Sequence, residues 1–130
     1  MSWQAYIDTS LCGSGHVEKG AIYNLEGTSC WATSPEFQIT PAEMTEVING
    51  LKGQTDSLYA NGLHLAGERY VLTKVEEDGS MLYARKGKDG IVIGKTTQAI
   101  IVARYVDPMI AGNTVETVQK LITYLVNVGY

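Results

Sequence analysis

The sequence predicts an α+β domain: a central antiparallel sheet, with the N- and C-terminal helices packed on one face and shorter helices on the other. Two observations carry this. From residue 63 to residue 105, short apolar runs alternate with glycine-containing turns, the pattern of a strand meander. Near the end, Val115, Val118, Ile122 and Leu125 recur at spacings of three and four, one stripe of an amphipathic helix. The chain has 130 residues, 45% of them hydrophobic, enough for one domain (1–130) with a proper core.

The elements follow in order. Ser2 is a good N-cap, and Trp3, Tyr6, Ile7 and Leu11 share one side of a short helix. Cys12-Gly13-Ser14-Gly15-His16 is a turn, too short for a dinucleotide fingerprint. Residues 17–24 and 29–33 read as two strands, with Trp31 in the second. Thr40-Pro41-Ala42-Glu43 starts a helix: Thr at the cap, Pro at the first position and Glu set for a capping box. That helix runs to about Asn49, ended by Gly50 or Gly53. Residues 55–59 form a second short helix. Asn61-Gly62 turns into the strand 63–65, and the strands 68–75, 81–86, 91–95 and 98–105 follow. Their turns are Glu77-Asp78-Gly79 and Lys88-Asp89-Gly90. The continuous apolar run Ala99-Ile100-Ile101-Val102-Ala103 marks a strand covered on both faces. Pro108 and Gly112 precede a last helix over 113–128. Leu121, Tyr124 and Val128 give it a second stripe, which should meet a neighbouring element such as the N-terminal helix.

Charge and composition narrow the function. The longest apolar run is far short of the ~20 residues of a membrane span. No signal peptide is visible, and Cys12 and Cys30 fit no metal or redox spacing, so a soluble protein of a reducing compartment is expected. The net charge is −4. Between Arg69 and Arg104, however, seven basic residues stand against four acidic ones, which leaves the rest of the chain at −7. This split reads two ways: as solvated strand ends and turns, or as a basic face for an acidic partner. Duplex nucleic acid is not expected at this net charge.

No catalytic arrangement is found. His16 and His64 stand outside any metal-ligand pattern, with His64 facing outward in its strand. There is no Gly-x-Ser-x-Gly elbow and no phosphate-binding loop. Glu76-Glu77-Asp78 resembles a calcium run in composition only. Cys30, beside Trp31, reads as packing. Neither an enzyme nor a cofactor or metal is expected.

What remains is Trp3, Tyr6, Trp31, Tyr124 and Tyr130, each with an apolar body and a polar tip, several of them at the chain ends. Large rings also serve any core. If the end helices pack together over the Trp31 strand, these rings line a shallow groove suited to a polyproline II ligand. Its pre-extended backbone costs little entropy to bind, and its free carbonyls accept from indole and phenol.

At this point the chain resembles a known family. Ser2-Trp3-Gln4-Ala5-Tyr6-Ile7-Asp8 is similar to the N-terminal signature of profilins. The resemblance continues through Cys30-Trp31-Ala32-Thr33-Ser34, Asn61-Gly62-Leu63-His64-Leu65-Ala66-Gly67, Tyr83-Ala84-Arg85-Lys86-Gly87, Lys95-Thr96 and Tyr124-Leu125-Val126. Length and pattern resemble the short members of fungi, amoebae and plants.

The resemblance implies a cytoplasmic, cytoskeletal protein that binds actin monomers, promotes their nucleotide exchange and delivers them to proline-rich partners such as formins. It implies a polyproline site at Trp3, Tyr6, Trp31, Tyr124 and Tyr130. The implied actin face is Arg69, Lys74, Arg85, Lys86, Gly112, Val115, Glu116, Gln119 and Lys120. Weaker binding of anionic phosphoinositide lipids at Arg85, Lys86 and Lys88 is implied as well. Asp107-Pro108-Met109-Ile110 and Glu76-Glu77-Asp78 depart from the family's pattern, and both bear on actin affinity more than on fold. Two other readings stand beside this one: a polyproline-binding adaptor with little actin affinity, and a small enzyme of unrecognised type using His16 or His64.

Overall fold

In a computed structural model, which describes residues 3–76 and 80–130, seven strands form one antiparallel sheet in the order β2-β1-β7-β6-β5-β4-β3. These are β1 (Lys19–Asn24), β2 (Cys30–Thr33), β3 (Leu63–Leu65), β4 (Glu68–Val75), β5 (Met81–Lys86), β6 (Asp89–Lys95) and β7 (Ala99–Tyr105). The helices are α1 (Trp3–Ala5), α2 (Pro41–Leu51), α3 (Asp56–Asn61) and α4 (Ala111–Asn127). Ser2 and the turn Glu77-Asp78-Gly79 lie outside the described residues.

Strand alternation splits the core in two. Ile91, Ile93, Ile100 and Val102 face α2 and α3 together with Leu82 and Tyr70. Val92, Ile101, Ala103 and Tyr105 face the N-terminal segment and α4, and meet Ile7, Leu11, Val118, Leu121 and Leu125. The run from Ala99 to Ala103 is fully buried, as expected of a strand covered on both sides. Each large side chain taken fully out of water contributes about 1.5–3 kcal/mol.

The capping box of α2 forms, and it also reaches across the fold. Thr40 Oγ1 accepts from the Glu43 N–H at 3.2 Å, and Glu43 Oε1 accepts from the Thr40 N–H at 2.9 Å. The same carboxylate accepts from the N–H groups of Ala66 and Gly67, at 3.1 and 2.9 Å, and so ties the β3–β4 turn to the helix start. Both turn residues have positive φ, a conformation that favours hairpin twist. Gly50 does not end α2. It is buried inside the helix, where an added Cβ would lie 2.8 Å from Leu82 Cδ1, and Gly53 with φ 88° follows the end.

Four other expectations shift. The N-terminal segment is a single α-turn that widens into a π-helix over Tyr6–Leu11 and tightens to a 3₁₀ turn over Cys12–Ser14. The wider coil still seats Ile7 and Leu11 on Gly20 of β1, whose missing side chain leaves Leu11 Cδ1 room to approach. In α4 the buried stripe is Thr114, Val118, Leu121 and Leu125. Val115 and Ile122 sit at its margin, and Tyr124 and Val128 are exposed, so the second apolar stripe is not a buried one. The β5–β6 turn is Gly87-Lys88, with Asp89 already in β6. Cys30 is exposed rather than packed, and its Sγ lies 3.5 Å from the Ala32 carbonyl oxygen.

Candidate functional site

The five aromatic residues come together, with Trp3 at the centre. Its ring centroid lies 4.7 Å from Trp31, 5.0 Å from Tyr130 and 5.5 Å from Tyr6. Tyr6 in turn lies 6.0 Å from Tyr124. The Trp3–Tyr130 contact is edge-on at 89°, and the others are tilted, the geometries that ring quadrupoles favour. All five rings keep exposed surface. The result is a shallow groove with four rings in series, Trp31, Trp3, Tyr6 and Tyr124, and a fifth, Tyr130, set edge-on against Trp3.

Three parts of the fold aim these rings. Trp3 and Tyr6 stand on the N-terminal segment, which Gln4 ties to the edge strand through Nε2 and the Thr33 carbonyl at 3.1 Å. Trp31 is the unpaired residue of a β-bulge. Ile22 pairs with Ala32 and Tyr23 with Cys30, so Trp31 has no partner across the ladder. A bulge re-aims the side chain it carries, and here Trp31 joins Ala32 on the side of α4 rather than alternating away from it. Tyr130 is held by its main chain. Its carbonyl accepts from Thr96 Oγ1 at 2.6 Å and from the Gln98 N–H at 2.7 Å, and its N–H donates to the Leu125 carbonyl at 2.7 Å. Gln98 Nε2 adds a bond to the Gly129 carbonyl at 2.9 Å.

Thr96 and Gln98 are supporting residues that side-chain patterning does not reveal. Thr96 was legible only as part of the Lys95-Thr96 match. Hydrogen bonding to the Tyr124 phenol, then desolvation, holds the Tyr6 hydroxyl above the usual phenol range. Beyond Tyr124 the groove opens into a cavity of about 520 Å³ between the N-terminal segment and α4.

The basic residues divide differently from their order in sequence. Arg69, Lys74 and Arg85 lie on the outer face of β4 and β5, on the α4 side of the sheet, around exposed Val71. Lys74 Nζ lies 3.4 Å from Glu76 and 5.7 Å from the Tyr83 ring centroid. Arg69 donates to the Asn61 carbonyl at 2.7 Å. Gln119 of α4 reaches this face, with Nε2 3.7 Å from Met81 Sδ, and Val115 packs at its margin. Lys86 points to the opposite face, as the two-residue period of a strand requires of a neighbour of Arg85, and pairs with Glu68 at 3.2 Å. Lys88 is exposed in the β5–β6 turn, and Gly112 is exposed in the first turn of α4. Glu116 and Lys120 pair at 3.0 Å and flank His16 rather than β5.

The histidines form no catalytic pair. His64 is half-buried, and its Nδ1 and N–H both engage Glu46, at 3.1 and 2.8 Å. His16 is held by its main chain, its carbonyl accepting from Thr114 Oγ1 at 2.6 Å. Among the described residues no cluster of metal-ligating side chains occurs, and no helix is long and apolar enough to cross a membrane.

Comparison with known proteins agrees with this architecture. The family model described as Profilin matches residues 1–130. Profilin-1B of Acanthamoeba castellanii is 39% identical and the profilin of Schizosaccharomyces pombe 36% identical, each over 130 residues and the full length of both chains. The solved Acanthamoeba profilin IB superimposes with a TM-score of 0.91, covering 99% of this chain and 100% of that one. Mouse profilin IIa, solved in complex with a double repeat from the FH1 domain of mDia1, shares the fold at a TM-score of 0.79 and 21% identity, with 100% of each chain covered. Full-length similarity in both sequence and structure places this chain in the profilin family.

Proposed function

We propose that the protein binds monomeric actin, regulates its polymerisation, promotes its nucleotide exchange and delivers it to proline-rich partners such as formins. The observation that carries the peptide half is the cluster centred on Trp3, with the tail pinned so that Tyr130 stands against it. A left-handed helix with three residues per turn brings every third ring back to the same side, stacks its rings on such a surface and offers its carbonyls to indole and phenol donors. The FH1-bound mouse relative adds support.

The actin half rests on family membership and on the basic, partly apolar face of β4, β5 and α4, with Lys74, Arg85 and Val71 at its centre and Arg69, Val115, Gln119 and Gly112 around it. Charge of this sign steers an acidic partner in. Exchange would follow if the face bound an open state of actin's nucleotide cleft more tightly than a closed one. Anionic phosphoinositide headgroups are weaker proposed ligands at Arg85, Lys86 and Lys88. Cytoplasmic location with the cytoskeleton goes with this reading.

The ion pair Lys74–Glu76 also favours a second reading, an adaptor that binds proline-rich segments and holds actin poorly. Two titrations test both. Tryptophan emission should change saturably as a capped proline decamer is added, and no change would remove the groove reading. Labelled actin monomers should bind at micromolar protein, and their failure to bind leaves the adaptor.

A further inference from the structure

The cavity beyond Tyr124 has a chemistry that proline stacking does not use. Tyr6 and Tyr124 are at once the last rings of the groove and the near wall of this cavity, and Leu121 is part of its lining. Its volume, about 520 Å³, falls within the ~300–1,000 Å³ usual for ligand cavities. The rest of its wall is polar. Ser14 and Thr117 donate their hydroxyls to the main-chain carbonyls of Leu11 and Asn113, at 2.6 and 2.8 Å. The Ser10 hydroxyl, the His16 ring, the Tyr124 phenol and the Lys120 ammonium line the cavity as well. The Glu116 carboxylate lies beside His16 and Lys120, and it holds Lys120 at 3.0 Å in a pair exposed on both sides. An exposed pair of this kind is weak and exchanges readily for another anion.

From the continuity of groove and cavity and from the positive charge of Lys120 among these donors, we propose that the cavity is a specificity subsite for a carboxylate side chain flanking the proline stretch of a partner. This rests on the groove reading above. The peptide lies across Trp3, Tyr6 and Tyr124, and its next residues advance about 3.1 Å each along the polyproline II helix. Two residues past the last stacked ring, an Asp or Glu enters between Ser10, His16 and Lys120. Lys120 then exchanges Glu116 for the ligand in a charge-assisted hydrogen bond. Partners whose proline runs border acidic residues are thereby preferred over those bordered by lysine or arginine.

The test uses capped decaproline peptides, so that no free terminus supplies the charge: one bare, one with Glu-Glu at the N-terminal end, one with Glu-Glu at the C-terminal end, and one Lys-Lys counterpart of each. Tryptophan emission reads the affinity. One of the two acidic peptides should bind about fivefold more tightly than the bare one at low salt, and its Lys-Lys counterpart more weakly. The preference should shrink in 0.5 M salt, as screening requires. Lys120→Ala should bring the ratio of acidic to bare affinity to about one, and Glu116→Gln should raise it by removing the internal competitor. If the bare peptide binds and neither acidic peptide is preferred, or if the preference survives Lys120→Ala, the subsite is overturned and the groove stands. If no peptide binds, both fall.

Discussion

The hydroxyl of Thr96 donates to the main-chain carbonyl of Tyr130 at 2.6 Å, joining the β6–β7 turn to the last residue of the chain. Thr96 is buried, and its oxygen also accepts from the Ala99 N–H at 3.0 Å. One side chain thus closes a turn and fixes the aromatic residue that completes the groove. Without it the final residue would fray, as chain termini do.

Thr96→Val keeps the shape and removes both hydrogen bonds. It should cost about 1–3 kcal/mol in urea unfolding, because buried main-chain groups lose a partner. Affinity for a proline decamer should fall several-fold as Tyr130 loosens. Thr96→Ser should recover most of both. Unchanged peptide affinity in the valine variant would show that Gln98 and α4 place the tail without Thr96.

Trp3 touches three of the other four rings, so its removal should do more harm than that of any ring at the margin. Trp3→Ala should weaken proline-peptide binding by about 2 kcal/mol, roughly thirtyfold, as central aromatic anchors do. Tyr130→Ala should cost about 1 kcal/mol, roughly fivefold. Isothermal titration gives both values. The reverse order would move the centre of the site toward the tail.

Arg85 and Lys86 are neighbours in β5 but stand on opposite faces, and this separates their effects. Lys74→Glu and Arg85→Glu should each weaken actin-monomer binding by roughly tenfold while leaving proline-peptide binding intact. Lys86→Glu should change actin affinity little, since it loses only a surface pair worth at most about 1 kcal/mol. A large effect from Lys86 and none from Arg85 would put the actin face on the α2 side of the sheet.

Burial sets the alkaline limit of the fold. It pushes the Tyr23 phenol up to about 12 from an ordinary value of 10.0, and raises Tyr70 and Tyr105 in the same direction. Tyr70 is held higher still by its hydrogen bond to Glu68 at 3.0 Å. A phenol whose pKa is higher in the folded state favours folding below its unfolded pKa, and that contribution is lost as pH rises toward the folded value. Urea midpoints should therefore hold steady from about pH 7 to 9 and fall from about pH 10 to 12. Absorbance at 295 nm should show the buried phenols of Tyr23, Tyr70 and Tyr105 ionising only as the protein unfolds. A single early transition for all eight tyrosines would contradict the burial.

Much of this protein is local and therefore legible in the order of its residues. The capping box at Thr40, the apolar run at Ala99, the turn at Asn61-Gly62 and the meander between them depend on neighbours within a few positions. The five rings could be named because aromatics at chain ends are unusual and because their spacing resembles a family signature. The tertiary structure decided how those rings meet. A bulge at Trp31 turns it against the alternation of its strand, a π-helical coil carries Tyr6 toward Tyr124, and Thr96 catches a tail 34 positions away. It also decided that Arg85 and Lys86 part company and that Lys120 belongs beside His16. Apart from the facing of Arg85 and Lys86, which follows from strand alternation once β5 is placed, each of these depends on strand pairing, close packing or a hydrogen bond between distant segments, which no short window of sequence contains.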